Sequence, residues 1–286
     1  MSLPEPLLAA INGKWYTPGD SDISVSGLIS PPRLRVLTDK HKPEEDPLDM
    51  IWRVLGSATH AMVERAAEGL DGWLMEERLY THVGGWDVGG QIDWYNVQRK
   101  ELWDLKVTSA WSVLKGEPKP EWVAQTNCYA QLLRENGHDP ACISVACILR
   151  DWTKSKAADS DTYPQQQVVT LDIPVWSSRQ CCDYMGERVA LHQQAQQAAD
   201  NGDPLPRCTD AEMWTRPGKT AAMKKGRKRA MKLFDTQAEA VNWRTRQTDA
   251  SEIYLEDRPA VYPRCGTGKG DGYCAVYEWC NQAKGR

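Results

Sequence analysis

Hydrophobic side chains between residues 50 and 110 follow first a helical and then a strand period. Apolar residues three or four positions apart predict a helix over about residues 50–70, and Gly69 and Gly72 lie at its end. Three shorter runs then predict strands, with a tight turn at Gly84-Gly85 between the first two. The predicted strands cover residues 78–83, 86–95 and 101–108.

Helices and strands alternate again in the second half of the pattern. The remaining predicted elements are a helix over 121–135, a strand over 142–150, a strand over 168–173, a helix over 177–199 and a helix over 236–246. Residues 1–50 and 151–166 show no clear period and are expected to be irregular. Buried strands that alternate with helices predict an α/β fold.

Charge is distributed unevenly along the 286 residues. The net charge of −4 by itself argues against a nucleic-acid-binding protein, because such domains tend to be basic. Residues 207–232, however, contain nine Lys or Arg and two Asp or Glu, a local charge of +7, so the remainder carries −11. Composition shifts at Asn201-Gly202-Asp203-Pro204, and we expect two domains, residues 1–200 and 201–286.

The chain is expected to be cytoplasmic, with no membrane contact. No segment approaches the ~20 apolar residues of a membrane span, and the first residues do not resemble a signal peptide. In a reducing compartment the nine cysteines are expected as thiols, metal ligands or catalytic groups rather than disulfides.

Two carboxylates and one lysine are predicted to meet at the end of a strand pair. Asp104 and Lys106 lie two residues apart on one strand and share a face, while Asp93 ends the preceding strand. Two carboxylates with a backbone carbonyl suit Mg²⁺, and a nearby lysine can orient a water molecule. Ordinary surface charges on an exposed hairpin would give the same pattern.

Two helical pairs accompany this group. His60 and Glu64 are four residues apart and share a helix face, as do Gln125 and Tyr129. A histidine followed by an acid one turn later fits a metal ligand with a supporting carboxylate, but it also fits a structural histidine. The second pair also fits an amphipathic helix that packs on a sheet.

The order of these motifs resembles the RecB-type branch of the PD-(D/E)xK nuclease superfamily. The motifs are G-x-x-x-H-x-x-x-E from Gly56, G-x-I-D from Gly90, D-L-K from Asp104 and Q-x-x-x-Y from Gln125. The resemblance implies a restriction-endonuclease-like core, a mixed central sheet flanked by helices, with a C-terminal subdomain held by cysteines.

The resemblance also implies roles for individual residues. Its metal ligands for Mg²⁺ or Mn²⁺ would be His60, Asp93, Asp104 and the Leu105 carbonyl. Lys106 would be the catalytic lysine. The other members of the implied site are Glu64, Gln125 and Tyr129, of which the last two would line the site near the DNA. As a separate hypothesis, Thr108 and Ser109 donate hydrogen bonds to a phosphate.

Four of the cysteines form a second candidate group. Several RecB-type nucleases close the nuclease lobe with a [4Fe–4S] cluster, and the spacing of Cys274 and Cys280 resembles theirs. Cys265 and Cys208 would complete the set, although the early cysteine of that family lies before the histidine helix. Zinc bound by four thiolates, or thiols that bind no metal, are the alternatives.

The basic segment is interpreted as a DNA contact. Its densest part is Lys224, Lys225, Arg227, Lys228 and Arg229, and such cations contact phosphates. A solvated surface loop is the other interpretation.

Together these features predict a metal-dependent DNA exonuclease of phage or bacterial recombination or repair. Its substrate would be single-stranded DNA or duplex ends, and a recombination or replication protein would be a possible partner. A restriction-type endonuclease on the same fold and a non-catalytic nuclease-fold protein that binds DNA or a partner are the alternative functions.

Overall fold

The computed structural model describes residues 4–13, 19–44, 46–47, 50–267 and 271–285, and within them the chain is an α/β protein with mixed sheets and flanking helices. No helix among the described residues is long and apolar enough to cross a membrane. The α-helices are α1 (Glu5–Asn12), α2 (Val25–Ile29), α3 (Pro32–His41), α4 (Ile51–Ala66), α5 (Pro120–Glu135), α6 (Lys154–Asp159), α7 (Ser178–Asn201), α8 (Gln237–Thr245) and α9 (Asn281–Lys284). The strands are β1 (Ile23–Ser24), β2 (Trp73–Met75), β3 (Arg78–Val83), β4 (Trp86–Gln91), β5 (Trp94–Asn96), β6 (Glu101–Thr108), β7 (Cys142–Leu149), β8 (Val168–Ile173), β9 (Lys219–Lys224), β10 (Lys232–Phe234) and β11 (Ile253–Arg258).

The chain divides into two units. The first contains Met1–Arg35 and Glu44–Pro204, and the second contains Val36–Pro43 and Leu205–Arg286. The sequence places the segment Val36–Pro43 in the first domain, whereas the structure places it in the second unit. There, His41 stacks on Trp279 with ring centroids 4.7 Å apart. This contact joins residues far apart in the chain, so no local pattern reveals it.

A five-stranded mixed sheet forms the centre of the first unit, in the order β2-β5-β6-β7-β8. β6 and β7 are parallel, and α5 connects them, because parallel strands need a crossover. One face of these strands carries buried apolar side chains that belong to the same core as residues of α5. That core includes Leu102, Leu132 and Val145.

A long hairpin links this sheet to a second sheet of order β1-β4-β3. β3 pairs with β4 and β2 pairs with β5, and both pairs continue the same register. The turn uses Gly84 and Gly85, both at positive φ, as two-residue hairpin turns require. The single strand predicted over residues 86–95 is therefore wrong: the strand breaks at Ile92-Asp93 and its two parts belong to different sheets.

Two segments expected to be irregular contain helices. Within residues 1–50, α1, α2 and α3 form, and within residues 151–166, α6 forms. Pro32 is the first residue of α3, where a missing N–H leaves no hydrogen bond unmade. These helices have 5 to 10 residues, too few for a clear helical period.

The second unit contains an antiparallel sheet of order β10-β9-β11 with α8. α8 begins with a capping box, in which Thr236 and Glu239 each bond the other's backbone N–H. Ala222, Phe234, Ala240 and Ile253 form its small apolar core. Of these elements, the sequence predicted α8 and did not predict the sheet.

Candidate active site

His60 is the tenth residue of α4, and its ring lies close to two carboxylates. Its Nδ1 atom is 3.0 Å from Glu76 Oε1 and 3.6 Å from Asp93 Oδ1. Ligand atoms of the three residues all lie within 4.8 Å of one another. Burial lowers the pKa of His60, but the hydrogen bond with Glu76 and the charges of Asp93 and Asp104 outweigh it, so the pKa rises overall.

Glu76 is held at the bend of the long hairpin. Its φ of 48° is a left-handed conformation that costs a non-glycine residue about 1–2 kcal/mol. Its N–H donates to the Asp93 carbonyl at 2.9 Å, and Gln91 Nε2 donates to its Oε2 at 3.0 Å. Arg78 in turn donates to Gln91 Oε1 at 2.9 Å. This chain of polar contacts fixes the Glu76 carboxylate toward His60.

Asp93 lies in the break between β4 and β5 and is almost fully buried. Its Oδ2 accepts the backbone N–H of Leu105 at 2.6 Å, which ties it to β6. Burial, followed by the Asp104 charge, raises the pKa of Asp93 from its ordinary 3.8 to about 7. An acid that resists losing its proton in this way would ionise readily beside a bound cation.

Asp104 and Lys106 project from the same face of β6, as the strand period predicts. Lys106 Nζ lies 3.0 Å from Asp104 Oδ1 and 2.8 Å from Oδ2. Asp104 is 1% exposed, and its Oδ2 accepts no hydrogen bond of good geometry among the described residues. Burial lowers the pKa of Lys106, but the charges of Asp104 and Asp93 outweigh it and raise the pKa, so the lysine stays charged.

The Gln125–Tyr129 pair of α5 faces the same site. Gln125 Nε2 donates to Tyr129 Oη at 3.0 Å. The Tyr129 ring packs over Gly90 of β4, where an added Cβ would lie 2.8 Å from Tyr129 Cε1. The glycine of the G-x-I-D motif is therefore needed because the tyrosine of the Q-x-x-x-Y motif occupies its side-chain space.

A cavity of about 900 Å³ opens over these groups. The sequence-predicted residues that line it are His60, Glu64, Asp93, Leu105, Lys106, Gln125 and Tyr129, together with Glu76. Asp104 lies beneath this lining and is paired with Lys106. Leu105 donates its backbone N–H to Asp93. The role of its carbonyl as a metal ligand stays a prediction.

Glu76 is the member of the candidate metal group that the sequence interpretation missed. The acid beside His60 is Glu76 rather than Glu64, which lines the cavity from an exposed position. The sequence did contain a signal for this contact. A two-residue turn at Gly84-Gly85 sets a strand register that places residue 76 opposite residue 93. The break in the predicted strand 86–95 hid that pairing.

Thr108 and Ser109 lie at the end of β6, outside the cavity lining. Thr108 Oγ1 donates to Ser112 Oγ at 2.9 Å, and the hydroxyl oxygens of Ser109 and Ser112 are 3.4 Å apart. Both hydroxyls thus contact Ser112, and a phosphate contact by Thr108 or Ser109 stays a prediction.

The donor set at the cavity fits a hard divalent cation. Two carboxylates and an imidazole converge there, and the buried Asp104 Oδ2 is a further acceptor next to them. Sites that offer mostly oxygen ligands and one imidazole suit Mn²⁺ and Mg²⁺, whereas sites of four thiolates suit zinc or iron–sulfur clusters.

The four candidate cysteines all lie in the second unit. Burial raises the pKa of Cys274, and the charges of Cys265 and Cys280 raise it further. Gln282 holds Cys208 by two hydrogen bonds, from the Cys208 N–H at 2.8 Å and to its carbonyl at 2.9 Å. No disulfide joins any of the nine cysteines, all of which are described.

The densest part of the basic segment covers the last residue of β9, Lys224, and the β9–β10 connection. Lys225, Arg227, Lys228 and Arg229 are exposed there and form no ion pair with a described residue. Lys224 differs, since its Nζ lies 2.5 Å from Asp249 Oδ2 and 3.0 Å from Glu252 Oε2. The structure therefore assigns Lys224 to ion pairs within the unit, unlike the other four cations.

No family model matches the chain, and no curated protein matches it. Among solved structures, the crystal structure of SSO0001 is similar to this chain with a TM-score of 0.46 at 17% sequence identity. The similarity covers 68% of this chain and 88% of SSO0001. Neither result assigns a family or an activity to the chain, so the site is interpreted from its own geometry.

Proposed function

We propose that this protein is a metal-dependent DNA exonuclease that hydrolyses phosphodiester bonds. The observation that carries the proposal is the convergence of His60, Glu76 and Asp93 with the Asp104–Lys106 pair at one cavity. Hydrolysis of a phosphodiester needs a cation, a positioned water molecule and a positive charge near the phosphate. At this cavity His60, Glu76 and Asp93 would hold the cation, and Lys106 would supply the positive charge and position the water.

His60, Glu76 and Asp93 would hold the cation, with Asp104 as a further ligand. A bound Mg²⁺ or Mn²⁺ would polarise the phosphate and lower the pKa of the attacking water. Leu105 keeps Asp93 in place through its N–H, and Gln91 keeps Glu76 in place. The protein thus contributes a fixed set of oxygen and nitrogen donors.

Lys106 would stabilise negative charge on the phosphate and orient the attacking water. Its ammonium lines the cavity and remains charged because Asp104 and Asp93 face it. Gln125 and Tyr129 lie across the cavity lining and offer an amide and a phenol to the DNA strand.

We further propose that the first unit is a restriction-endonuclease-like core of the RecB type. Supporting this are the order of the four motifs and the way the β5–β6 hairpin, α5 and parallel β7 follow one another. A role in phage or bacterial recombination or repair, and a partner from that process, belong to the same proposal.

Digestion of end-labelled linear DNA tests the proposal. The protein is expected to degrade linear DNA with Mg²⁺ or Mn²⁺ and not with EDTA. Lys106→Ala should abolish cleavage, whereas Lys115→Ala, which removes an exposed lysine of the same unit, should not. Thermal unfolding would show that both variants fold. Metal-dependent cleavage retained by Lys106→Ala would overturn the assignment.

A closed circular substrate distinguishes the proposal from a restriction-type endonuclease. An exonuclease leaves the circle intact, and an endonuclease opens it. A protein that binds DNA with Mn²⁺ yet cleaves neither form would be the non-catalytic alternative, against which the intact Asp93, Asp104 and Lys106 argue.

We propose a [4Fe–4S] cluster held by Cys208, Cys265, Cys274 and Cys280. Its support is the thiolate chemistry of the set and the mutual influence of Cys265, Cys274 and Cys280. Anaerobic purification should give a brown protein that contains iron and sulfide, and a colourless protein with one zinc would refute the cluster.

A further inference from the structure

Two tryptophans are exposed beside the cavity of the first unit. Trp52 of α4 is 52% exposed, and Trp111, which follows β6, is 79% exposed. Large aromatic side chains are mostly buried in folded proteins, and exposed groups of them mark binding surfaces. These two exposed indoles are therefore a candidate binding surface.

Both tryptophans lie close in sequence to residues that line the cavity. Arg53 and Val54, which follow Trp52, line the cavity, as do Lys106 and Val107 near the end of β6. We call Trp52, Trp111 and Arg150 the rim, since Trp52 precedes the lining residue Arg53 in α4 and Trp111 follows the lining residue Val107 by four residues, in the turn after β6.

Hydrogen bonds fix the part of the rim that carries Trp111. The Arg150 N–H donates to the Thr108 carbonyl at 2.9 Å, and the Ala110 N–H donates to Asp151 Oδ1 at 2.7 Å. The ends of β6 and β7 are thus joined where Trp111 and Arg150 emerge. A rigid frame of this kind holds an aromatic ring in place for a ligand.

Arg150 joins the two sides of the rim. Its guanidinium lies 4.1 Å from the centroid of the Trp52 ring, a cation–π contact. The contact orients the indole and adds a positive charge where the rim meets the cavity. An aromatic surface with a cation complements a strand that carries bases and phosphates.

We propose that Trp52, Trp111 and Arg150 bind the unpaired bases of a single-stranded DNA whose phosphodiester backbone enters the cavity. This inference rests on the proposed nuclease function and names its substrate class. Stacking requires a base whose face is open, and bases inside a duplex are already stacked. Trp52 precedes His60 by eight helical residues, about 12 Å along α4, so the stacked bases lie a few nucleotides from the cleaved bond.

Fluorescence anisotropy in EDTA, where no cleavage occurs, tests the inference. A labelled single-stranded oligonucleotide is compared with a duplex of the same length and with an abasic oligonucleotide that keeps every phosphate. Wild-type protein should prefer the single strand that has bases. Trp52→Ala and Trp111→Ala should each weaken that binding about tenfold and leave duplex and abasic binding unchanged. Trp52→Tyr should retain most of the affinity.

Met62→Ala is the matched control, because Met62 is an exposed apolar residue of α4 about 15 Å from Trp52 along the helix axis and outside the cavity lining. It should bind all three probes like wild type. Equal wild-type affinity for the abasic and normal strands, or unchanged binding by both Trp→Ala variants, would overturn the inference. If cleavage requires Lys106 but binding does not require the tryptophans, only this inference is wrong. If binding requires the tryptophans but no DNA is cleaved, only the proposed nuclease function is wrong.

Discussion

Two acidic side chains of the site, Asp93 and Asp104, are each placed by a backbone feature as much as by their neighbours. Asp93 sits in the break between two strands, and Asp104 is buried by strand alternation. The resulting cluster concentrates negative charge in a partly dry site, where separation from water makes each charge costly. A cation would relieve that repulsion.

The pH dependence of stability reports on this cluster. The folded protein raises the pKa of Asp93 to about 7 and also raises that of His60, so it holds more protons than the unfolded chain above about pH 4. Stability in EDTA is therefore expected to fall as the pH rises from 5 to 8. Urea unfolding midpoints measure it.

Asp93→Asn should flatten this dependence, because the amide does not titrate. Added Mn²⁺ should stabilise the wild-type protein more at pH 8 than at pH 6, since the cation competes with the proton. Stability that rises between pH 5 and pH 8 in EDTA would contradict the interpretation of the cluster.

At the scale of elements, the long hairpin and α5 fit together through one glycine. An added methyl group at Gly90 would come within 2.7 Å of Leu132 and 2.8 Å of Tyr129. Both neighbouring side chains are buried, so neither can move aside easily to make room for the methyl group. The strand and the helix approach each other only because residue 90 has no side chain.

Gly90→Ala is expected to destabilise the protein by about 1–3 kcal/mol, the usual cost of overpacking, and to reduce cleavage by displacing Tyr129. Gly186→Ala is the control, because Gly186 lies within α7 with open space around it and should gain about 0.5–1 kcal/mol. Thermal or urea unfolding of both variants gives the comparison. Equal stability of the two variants would refute the close approach.

The sequence predicted most elements of the first unit because they carry a clear period. β3, β6 and β8 have the predicted bounds, and α4, α5, β7 and α7 differ by a few residues. Short elements such as β2 and α6 were missed, because three to six residues contain too little of a period to recognise.

The candidate site was predictable where motif residues share one element. The pairing of Asp104 with Lys106 follows from the strand period, whereas the approach of Glu76 to His60 depends on a bend in a hairpin. Non-local geometry of that kind needs the strand register, which the interpretation of residues 86–95 as one strand obscured.

For the whole molecule, the uneven charge has a structural counterpart in the second unit. Four exposed cations occupy the β9–β10 connection, and the fifth, Lys224, is neutralised by Asp249 and Glu252. A net charge of −4 therefore coexists with a local cationic loop that can contact phosphates.

Replacing Lys225, Arg227, Lys228 and Arg229 with Gln should weaken DNA binding and reduce its dependence on salt. If all four contact phosphates, the slope of log affinity against log salt should fall by about 3. Lys224→Gln is the matched control from the same segment and should change folding stability more than the slope. Titrations at several salt concentrations measure both effects, and an unchanged slope in the fourfold variant would exclude the contact.

The left-handed backbone of Glu76 has a consequence for mutational tolerance. The backbone at position 76 favours glycine and asparagine, while the cation site favours acids, so the two requirements rank substitutions in opposite order. In a saturation library, selection for folding should retain Glu76→Gly and Glu76→Asn at or above wild type, and selection for Mn²⁺-dependent cleavage should eliminate both. A position with such opposed rankings is one where selection for activity has kept a residue that folding alone would replace.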